Sequence, residues 1–302
     1  MYMTYGSRIN NGKINFLNFT RGRYRSLWPI SFVTLLVVTF GEFIYKSLSG
    51  SLFVINNFDF YHFILNVLLM QSGWFENSYS FNTPTWFISV LVLNYLLFYL
   101  IIWINRKLCL KSDWLLIIPV IVGWMCRITN CEIPFLHFGF AARGYYCFFI
   151  GAIISCSVIN KDQKINKIND RFVILLLSVF IAISIALRFL AHIRYISLAY
   201  TVYMFVVLPI ILVLCVRPTL FAKFWELKLW TFMGKISTDV FFWHFPLQII
   251  IAVAFYLAHA ELKVSSPAFY SFYIAIVILV SYLSSSIRGK IKNLIIKKEK
   301  NG

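Results

Sequence analysis

Apolar residues run along this chain in long blocks that short polar and basic stretches separate. A helix needs about 20 apolar residues, at 1.5 Å of rise each, to cross the hydrocarbon core of a bilayer. Eight blocks approach or reach that length, and they lie at about 27–45, 84–104, 114–129, 142–159, 172–191, 196–216, 232–258 and 267–287. The pattern therefore predicts an all-α polytopic membrane protein with about eight transmembrane helices.

A further apolar stretch differs from these eight in its polar content. It runs from Phe58 to Phe75 and contains Asp59, His62, Asn66 and Gln71. Polar side chains at this density are costly within hydrocarbon, but they are tolerated at the membrane interface. We therefore expect one interfacial or re-entrant helix here.

The distribution of basic residues predicts how the chain is oriented. If the N-terminal segment is cytoplasmic, 22 of the 28 Lys and Arg residues lie on the cytoplasmic side of the eight-span arrangement. An excess of this kind marks cytoplasmic loops. Both termini are then cytoplasmic, with a basic loop at 1–26 and a basic tail at 288–302.

Composition narrows the class of protein further. The chain is 60% hydrophobic and only 13% charged, with a mean hydropathy of +0.78, whereas soluble domains carry about 25% charged residues. The net charge of +17 is spread over short loops and forms no polar basic domain, so we expect a lipid bilayer and no nucleic acid as partner. The sequence has no P-loop, no nucleophile elbow, no dinucleotide fingerprint and no metal-ligand spacing, and no metal cofactor is predicted.

One histidine, His244, lies inside the apolar block 232–258. In a helix that starts near Met233 it lies ~16 Å along the axis, near the middle of a bilayer. A polar side chain at that depth suggests a functional site, and the alternative is a histidine that only hydrogen-bonds a neighbouring helix. Asp239 lies ~140° around the helix from His244 and is predicted to pair with Lys235, four residues earlier.

Four stretches of the chain carry a family resemblance. They are the basic segment Phe19–Pro29, the segment Pro84–Tyr95 with Trp86, the segment Arg143–Gly151, and the segment Gly234–Pro246, which ends in Trp-His-Phe-Pro. In order and spacing they resemble motifs of the membrane-bound acyltransferase 3 family. The resemblance implies an integral membrane enzyme that moves acyl groups onto extracytoplasmic carbohydrates.

Two departures from the family pattern stand out. Ser26 occupies the place of the second arginine in the basic motif, with Arg25 one residue earlier. Family members typically have ten spans, and the first carries an Arg and a His that is needed for transfer, whereas nothing here matches that helix. The chain thus resembles an N-terminally truncated member, with one acyltransferase-like transmembrane domain over 1–302.

The resemblance also implies roles for individual residues. His244 and Arg143 are expected to be catalytic, with His244 in a supporting role because the main catalytic histidine belongs to the missing helix. Arg23, Arg25 and Trp86 are expected to bind the donor, an acyl-CoA and most simply acetyl-CoA, since arginine suits phosphate groups. The alternatives are positive-inside anchors for the arginines of the basic segment, an interfacial aromatic for Trp86 and a rim arginine for Arg143.

The predicted function is O-acylation of a cell-surface polysaccharide, or of its lipid-linked precursor, at a bacterial cytoplasmic membrane. The donor is cytosolic acyl-CoA and the acceptor is a carbohydrate. Two alternatives come from other classes: a carrier or flippase for lipid-linked sugars, and a non-catalytic acyltransferase remnant. Inverted repeats or paired Gly/Pro-broken helices would favour the carrier interpretation, and the sequence shows neither.

Overall fold

The structure is a computed structural model, and it describes residues 5–53, 57–76, 78–110, 114–160, 203–216, 220–259 and 266–301, with scattered positions between 171 and 185. Within these residues the protein is helical, with one isolated bridge between Asn57 and Ser80, so the predicted all-α class is confirmed. The helices are α1 (Ser7–Asn10), α2 (Phe16–Ser49), α3 (Phe60–Val67), α4 (Trp86–Lys107), α5 (Ile117–Thr129), α6 (Phe140–Asn160), α7 (Leu208–Val216), α8 (Leu220–Trp225), α9 (Lys228–Leu257) and α10 (Pro267–Asn301).

Four helices of the described chain are long and apolar enough to cross a membrane, namely Phe16–Ser49, Thr83–Lys107, Lys228–Leu257 and Pro267–Ile291. They cover four of the predicted spans. Three shorter apolar helices, at Trp114–Thr129, Phe140–Cys156 and Tyr203–Val213, overlap three others. The predicted span at 172–191 lies largely outside the described residues. The total of eight and the cytoplasmic termini stay predictions.

The first long helix begins well before the predicted span. The side chain of Asn15 accepts a hydrogen bond from the backbone N–H of Asn18 at 2.8 Å and so caps α2 just ahead of Phe16. Residues 16–26, which the pattern assigned to a loop, are therefore helical. Pro29 lies in the helix interior and not in its first turn, so it removes a hydrogen bond to the carbonyl four residues earlier.

The described residues form two compact units. The first contains residues 5–20, 93–131, 141–160 and 203–227. Its core includes Phe19, which packs on Tyr99 at 5.4 Å, and the fully buried Tyr146. Helices α5 and α6 approach closely at Gly123, where an added Cβ would lie 2.8 Å from the carbonyl oxygen of Ala142.

The second unit contains residues 21–92, 132–140, 228–259 and 266–301. In it α9 packs along α10, and a buried ion pair joins them. The carboxylate of Asp239 is fully buried, accepts a hydrogen bond from Ser284 Oγ at 2.7 Å and pairs with the guanidinium of Arg288. Lys235 is exposed. The predicted Asp239–Lys235 pair is therefore wrong, because Asp239 faces the neighbouring helix and finds its cation there.

Candidate functional site around His244

A proline organises the middle of α9. Pro246 has no N–H, so the carbonyl of Phe242, four residues earlier, loses its helical partner. The side-chain amide of Asn82 donates to that carbonyl at 3.2 Å. Asn82 is buried and immediately precedes the single turn Thr83–Thr85 that leads into α4. The proline of the Trp-His-Phe-Pro motif thus creates the acceptor that joins α9 to the start of α4.

His244 is half-buried, one turn from this junction, and its ring orientation is set locally. Its Nδ1 lies 3.1 Å from the carbonyl oxygen of Val240, an arrangement that assigns the proton to Nδ1 and a lone pair to Nε2. The hydroxyl of Tyr273 donates to the backbone carbonyl of His244 at 2.7 Å, and Gln248 donates to that hydroxyl at 3.2 Å. Both the ring and the backbone of His244 are therefore held in place. Its Nε2 is the atom left to act as a hydrogen-bond acceptor.

An aromatic layer connects His244 to the start of α4. The ring of Phe241 lies 5.9 Å from that of His244 and 5.6 Å from that of Phe87. The adjacent residue, Trp86, stacks on Phe140, with centroids 4.7 Å apart. Two residues that the sequence singled out, His244 and Trp86, therefore lie on neighbouring elements of one unit, although one face of Trp86 is covered by Phe140.

The three predicted arginines occupy different places. Arg143 is exposed on α6 and belongs to the other compact unit. Arg23 and Arg25 lie on α2, two residues apart, so they point away from each other around the helix. Arg25 shares its exposed face with Arg21, whereas Arg23 is half-buried. Arg21 and Arg25 are neighbours on one helix face because α2 begins at Phe16, before both of them. The sequence pattern did not predict this pair, since it assigned both residues to a loop.

A second polar cluster lies on α3 and the turn that follows it. Asp59 caps α3 by accepting from the backbone N–H of His62 at 3.0 Å, and it lies 2.6 Å from His62 Nδ1. The hydrogen bond from that N–H is the main reason that the pKa of Asp59 lies below its usual value. On the other side of the ring, Nε2 lies 3.0 Å from the amide nitrogen of Asn57 and 3.2 Å from a carboxylate oxygen of Glu76.

Sequence reasoning found Asp59 and His62 but not their partner Glu76. The polar residues of the stretch 58–75 were visible as exceptions in an apolar run. Glu76 joins them only because the chain reverses, with the N–H of Gly73 donating to the Glu76 carbonyl at 2.8 Å. The local signal for that reversal is Gly73 itself, whose φ of +79° favours glycine.

The Asn82–Phe242 contact leads to a stability prediction. We expect Asn82→Ala to destabilise the protein by about 1–3 kcal/mol, because a buried carbonyl loses its donor. Pro246→Ala restores a backbone N–H for the same carbonyl, so Asn82→Ala should cost much less in that background. Denaturant unfolding of the four proteins in detergent measures the coupling. Equal costs in both backgrounds would mean that Asn82 does not serve the carbonyl freed by the proline.

Comparisons with known proteins complete these observations. Across the described residues, no group of three or more His, Cys, Asp or Glu side chains is placed to hold a metal ion. The sequence profile of one protein family, described as an acyltransferase domain, matches residues 3–286. Searches of curated proteins and of solved structures gave no match.

Proposed function

Because this chain belongs to the acyltransferase 3 family, whose profile spans residues 3–286, we propose that it transfers an acyl group from a cytosolic acyl-CoA to a carbohydrate. The family match is the observation that carries the proposal, since it makes the chain an acyltransferase-family membrane protein. The acetyl group is the simplest cargo. A hydroxyl of a cell-surface polysaccharide, or of its lipid-linked precursor, is the proposed acceptor, and the bacterial cytoplasmic membrane is the proposed location.

His244 is proposed to support the transfer step. With the proton on Nδ1 directed to the Val240 carbonyl, Nε2 can accept a hydrogen bond from a hydroxyl or from a water molecule. The Tyr273 hydroxyl holds the backbone of His244 and so favours a single position of the His244 ring. A group that orients a substrate requires such a fixed position. Arg143, on α6 of the other compact unit, is proposed as a catalytic residue on the family resemblance alone.

The donor is proposed to dock on the basic part of α2. Coenzyme A carries phosphate groups, and guanidinium groups bind phosphates through paired N–H donors. Arg25, with Arg21 on the same exposed face, offers two such groups one turn apart. Arg23 offers a third from the half-buried side of the helix, and Trp86 is proposed to contact the donor from the start of α4.

Labelling separates this proposal from its alternatives. Inverted membrane vesicles that contain the protein, with its cytoplasmic face outward, are given acetyl-CoA with an isotopic acetyl label, and we expect label to appear in envelope carbohydrate. Arg25→Gln should raise the acetyl-CoA concentration for half-maximal labelling about tenfold, as the loss of a charged hydrogen bond predicts. Lys46→Gln, an exposed cation at the opposite end of α2, is the matched control.

The outcomes are distinct. A carrier for lipid-linked sugars moves its substrate without consuming acetyl-CoA, and a remnant does neither. Protein that is folded and inserted but transfers no label from acetyl-CoA would contradict the proposed activity. Equal effects of Arg25→Gln and Lys46→Gln would contradict donor docking on this face of α2.

A further inference from the structure

Two carboxylates flank the ring of His62 in the polar cluster on α3. Asp59 lies 2.6 Å from Nδ1, and Oε1 of Glu76 lies 3.2 Å from Nε2, which is also 3.0 Å from the Asn57 amide nitrogen. Oε1 of Glu76 is buried and receives no hydrogen bond from the described residues. A buried carboxylate oxygen without a donor is costly, so this position favours a molecule that brings an O–H or N–H group.

Other acceptors without donors lie along the same turn. Gln71 and Asn82 are each only 2% exposed, and their amide nitrogens are both bonded, Gln71 to Thr85 and Asn82 to Phe242. Their carbonyl oxygens, Gln71 Oε1 and Asn82 Oδ1, have no donor within the part of the chain that the structure describes. The hydroxyl of Thr85 links the two residues, since it accepts from Gln71 at 3.0 Å and donates to the Asn82 backbone at 2.6 Å.

A buried histidine lies on the loop that crosses this turn. His137 is 5% exposed, and neither ring nitrogen has a hydrogen-bond partner among the described residues. Its loop is attached to the turn on both sides of the ring. The N–H of Phe135 donates to the Trp74 carbonyl at 2.6 Å, and Phe140 packs on Tyr79 at 5.0 Å.

Two separate sets of hydrogen bonds hold the chain around the α3 cluster. The side-chain amide of Asn66 donates to the carbonyl of His62 and to the hydroxyl of Ser80, both at 2.8 Å. Ser72 donates to the carbonyl of Ser78 at 2.7 Å. The unsatisfied acceptors Glu76, Gln71 and Asn82 therefore lie on a chain segment that is bonded to itself before and after Glu76.

The chemistry of these atoms selects the ligand. Carboxylate and amide oxygens need a ligand rich in donors, and a sugar supplies several hydroxyl groups close together. The carboxylates of Asp59 and Glu76 disfavour an anion such as acyl-CoA. Exposed aromatic side chains, at Tyr61, Phe75 and Tyr79, border the segment and offer apolar faces to a sugar ring.

We propose that residues 57–76 and 78–82, with His137, bind the carbohydrate acceptor, with Glu76 and His62 holding one of its hydroxyl groups. This inference rests on the proposed acyltransferase function. The carbonyls of Val67 and Leu68 accept hydrogen bonds from Trp28 at 2.9 Å and from Tyr24 at 3.2 Å, so the end of α3 packs beside the basic part of α2 on which the donor is proposed to dock.

The test uses the full chain in detergent and in vesicles. Hydrogen–deuterium exchange of peptides from 57–82 is measured with methyl glycosides of glucose, galactose and N-acetylglucosamine, and separately with acetyl-CoA. We expect at least one glycoside to slow exchange in 57–82 and acetyl-CoA to leave the peptides around Glu76 unchanged. Glu76→Gln and His62→Gln should remove the protection, while Glu132→Gln, an exposed carboxylate outside the segment, should retain it.

A kinetic readout separates this inference from the proposed function. In the labelling assay, Glu76→Gln should raise the acceptor KM about tenfold or more and leave the acetyl-CoA KM unchanged. Wild-type protein that transfers acetyl groups, yet shows no glycoside protection in 57–82 and a normal acceptor KM in Glu76→Gln, would overturn the inference alone. Glycoside protection without any transfer would support the site and contradict the proposed function. The wild-type exchange result decides even if a variant fails to fold.

Discussion

Replacement of Arg288 by methionine is expected to destabilise the protein by about 3–5 kcal/mol, because it leaves the carboxylate of Asp239 buried without a cation. That carboxylate is fully buried, whereas the Arg288 side chain is 33% exposed. The reverse change, Asp239→Asn, should therefore cost less, since the arginine can reach water or headgroups when its partner is gone. Denaturant unfolding in detergent measures both values.

Two further variants test the assignment of this ion pair. Lys235→Met removes the cation that local spacing predicted as the partner of Asp239, and it should change stability little because Lys235 is exposed. The double variant Asp239→Asn with Arg288→Met should recover much of the loss, since a neutral pair of similar volume needs no counter-ion. Equal destabilisation by Lys235→Met and Arg288→Met would contradict the pairing across α9 and α10.

Replacement of His244 by asparagine is expected to lower the acyl-transfer rate about 100-fold, because a displaced reacting group costs about that much. Asparagine can still donate to the Val240 carbonyl, as Nδ1 of the histidine does, but it offers nothing at the Nε2 position. Glutamine reaches that position and keeps a hydrogen-bonding group there. An orienting role therefore predicts that His244→Gln retains clearly more activity than His244→Asn.

The comparison of the two variants decides between roles for His244. Equal and large losses would indicate proton transfer by the ring instead of orientation, since neither amide is a base. His259→Gln is the matched control, an exposed histidine just beyond the end of the same helix. Its transfer rate should match that of the wild type. Loss of acetyl-CoA affinity in His244→Asn would place His244 in donor binding and contradict the proposed role.

Periodicity predicted the long helices because a membrane span is a local property of the sequence. Four predicted spans coincide with helices of spanning length, and the run around His244 is one of them. The start of α2 was missed because residues 16–26 are polar and basic, and hydropathy does not detect helical residues outside the bilayer. The Asn15 cap was the available local signal.

The parts of the site that join distant segments could not be predicted in this way. Asn82 and Phe242 are separated by 160 residues. Nothing in the local pattern shows which donor satisfies a carbonyl freed by a proline. The partner of Asp239 was missed for the same reason, since Arg288 lies on the next helix and the i, i+4 rule considers only one. Pro246 was the local signal that the Phe242 carbonyl needs a hydrogen-bond donor from elsewhere, because a carbonyl without a helical partner in an apolar setting must be satisfied.

The junction at Pro246 has a consequence for biogenesis. A nascent α9 would enter the lipid with one bare carbonyl at Phe242, and hydrocarbon offers no donor for it. The residue that satisfies it, Asn82, is translated long before α9 leaves the ribosome. The start of α4 is therefore available for α9 to pack against when α9 is inserted. Synthesis from the N-terminus makes the hydrogen-bond donor, Asn82, before the Phe242 carbonyl that accepts from it, so the insertion of α9 and its packing on α4 are coupled in time.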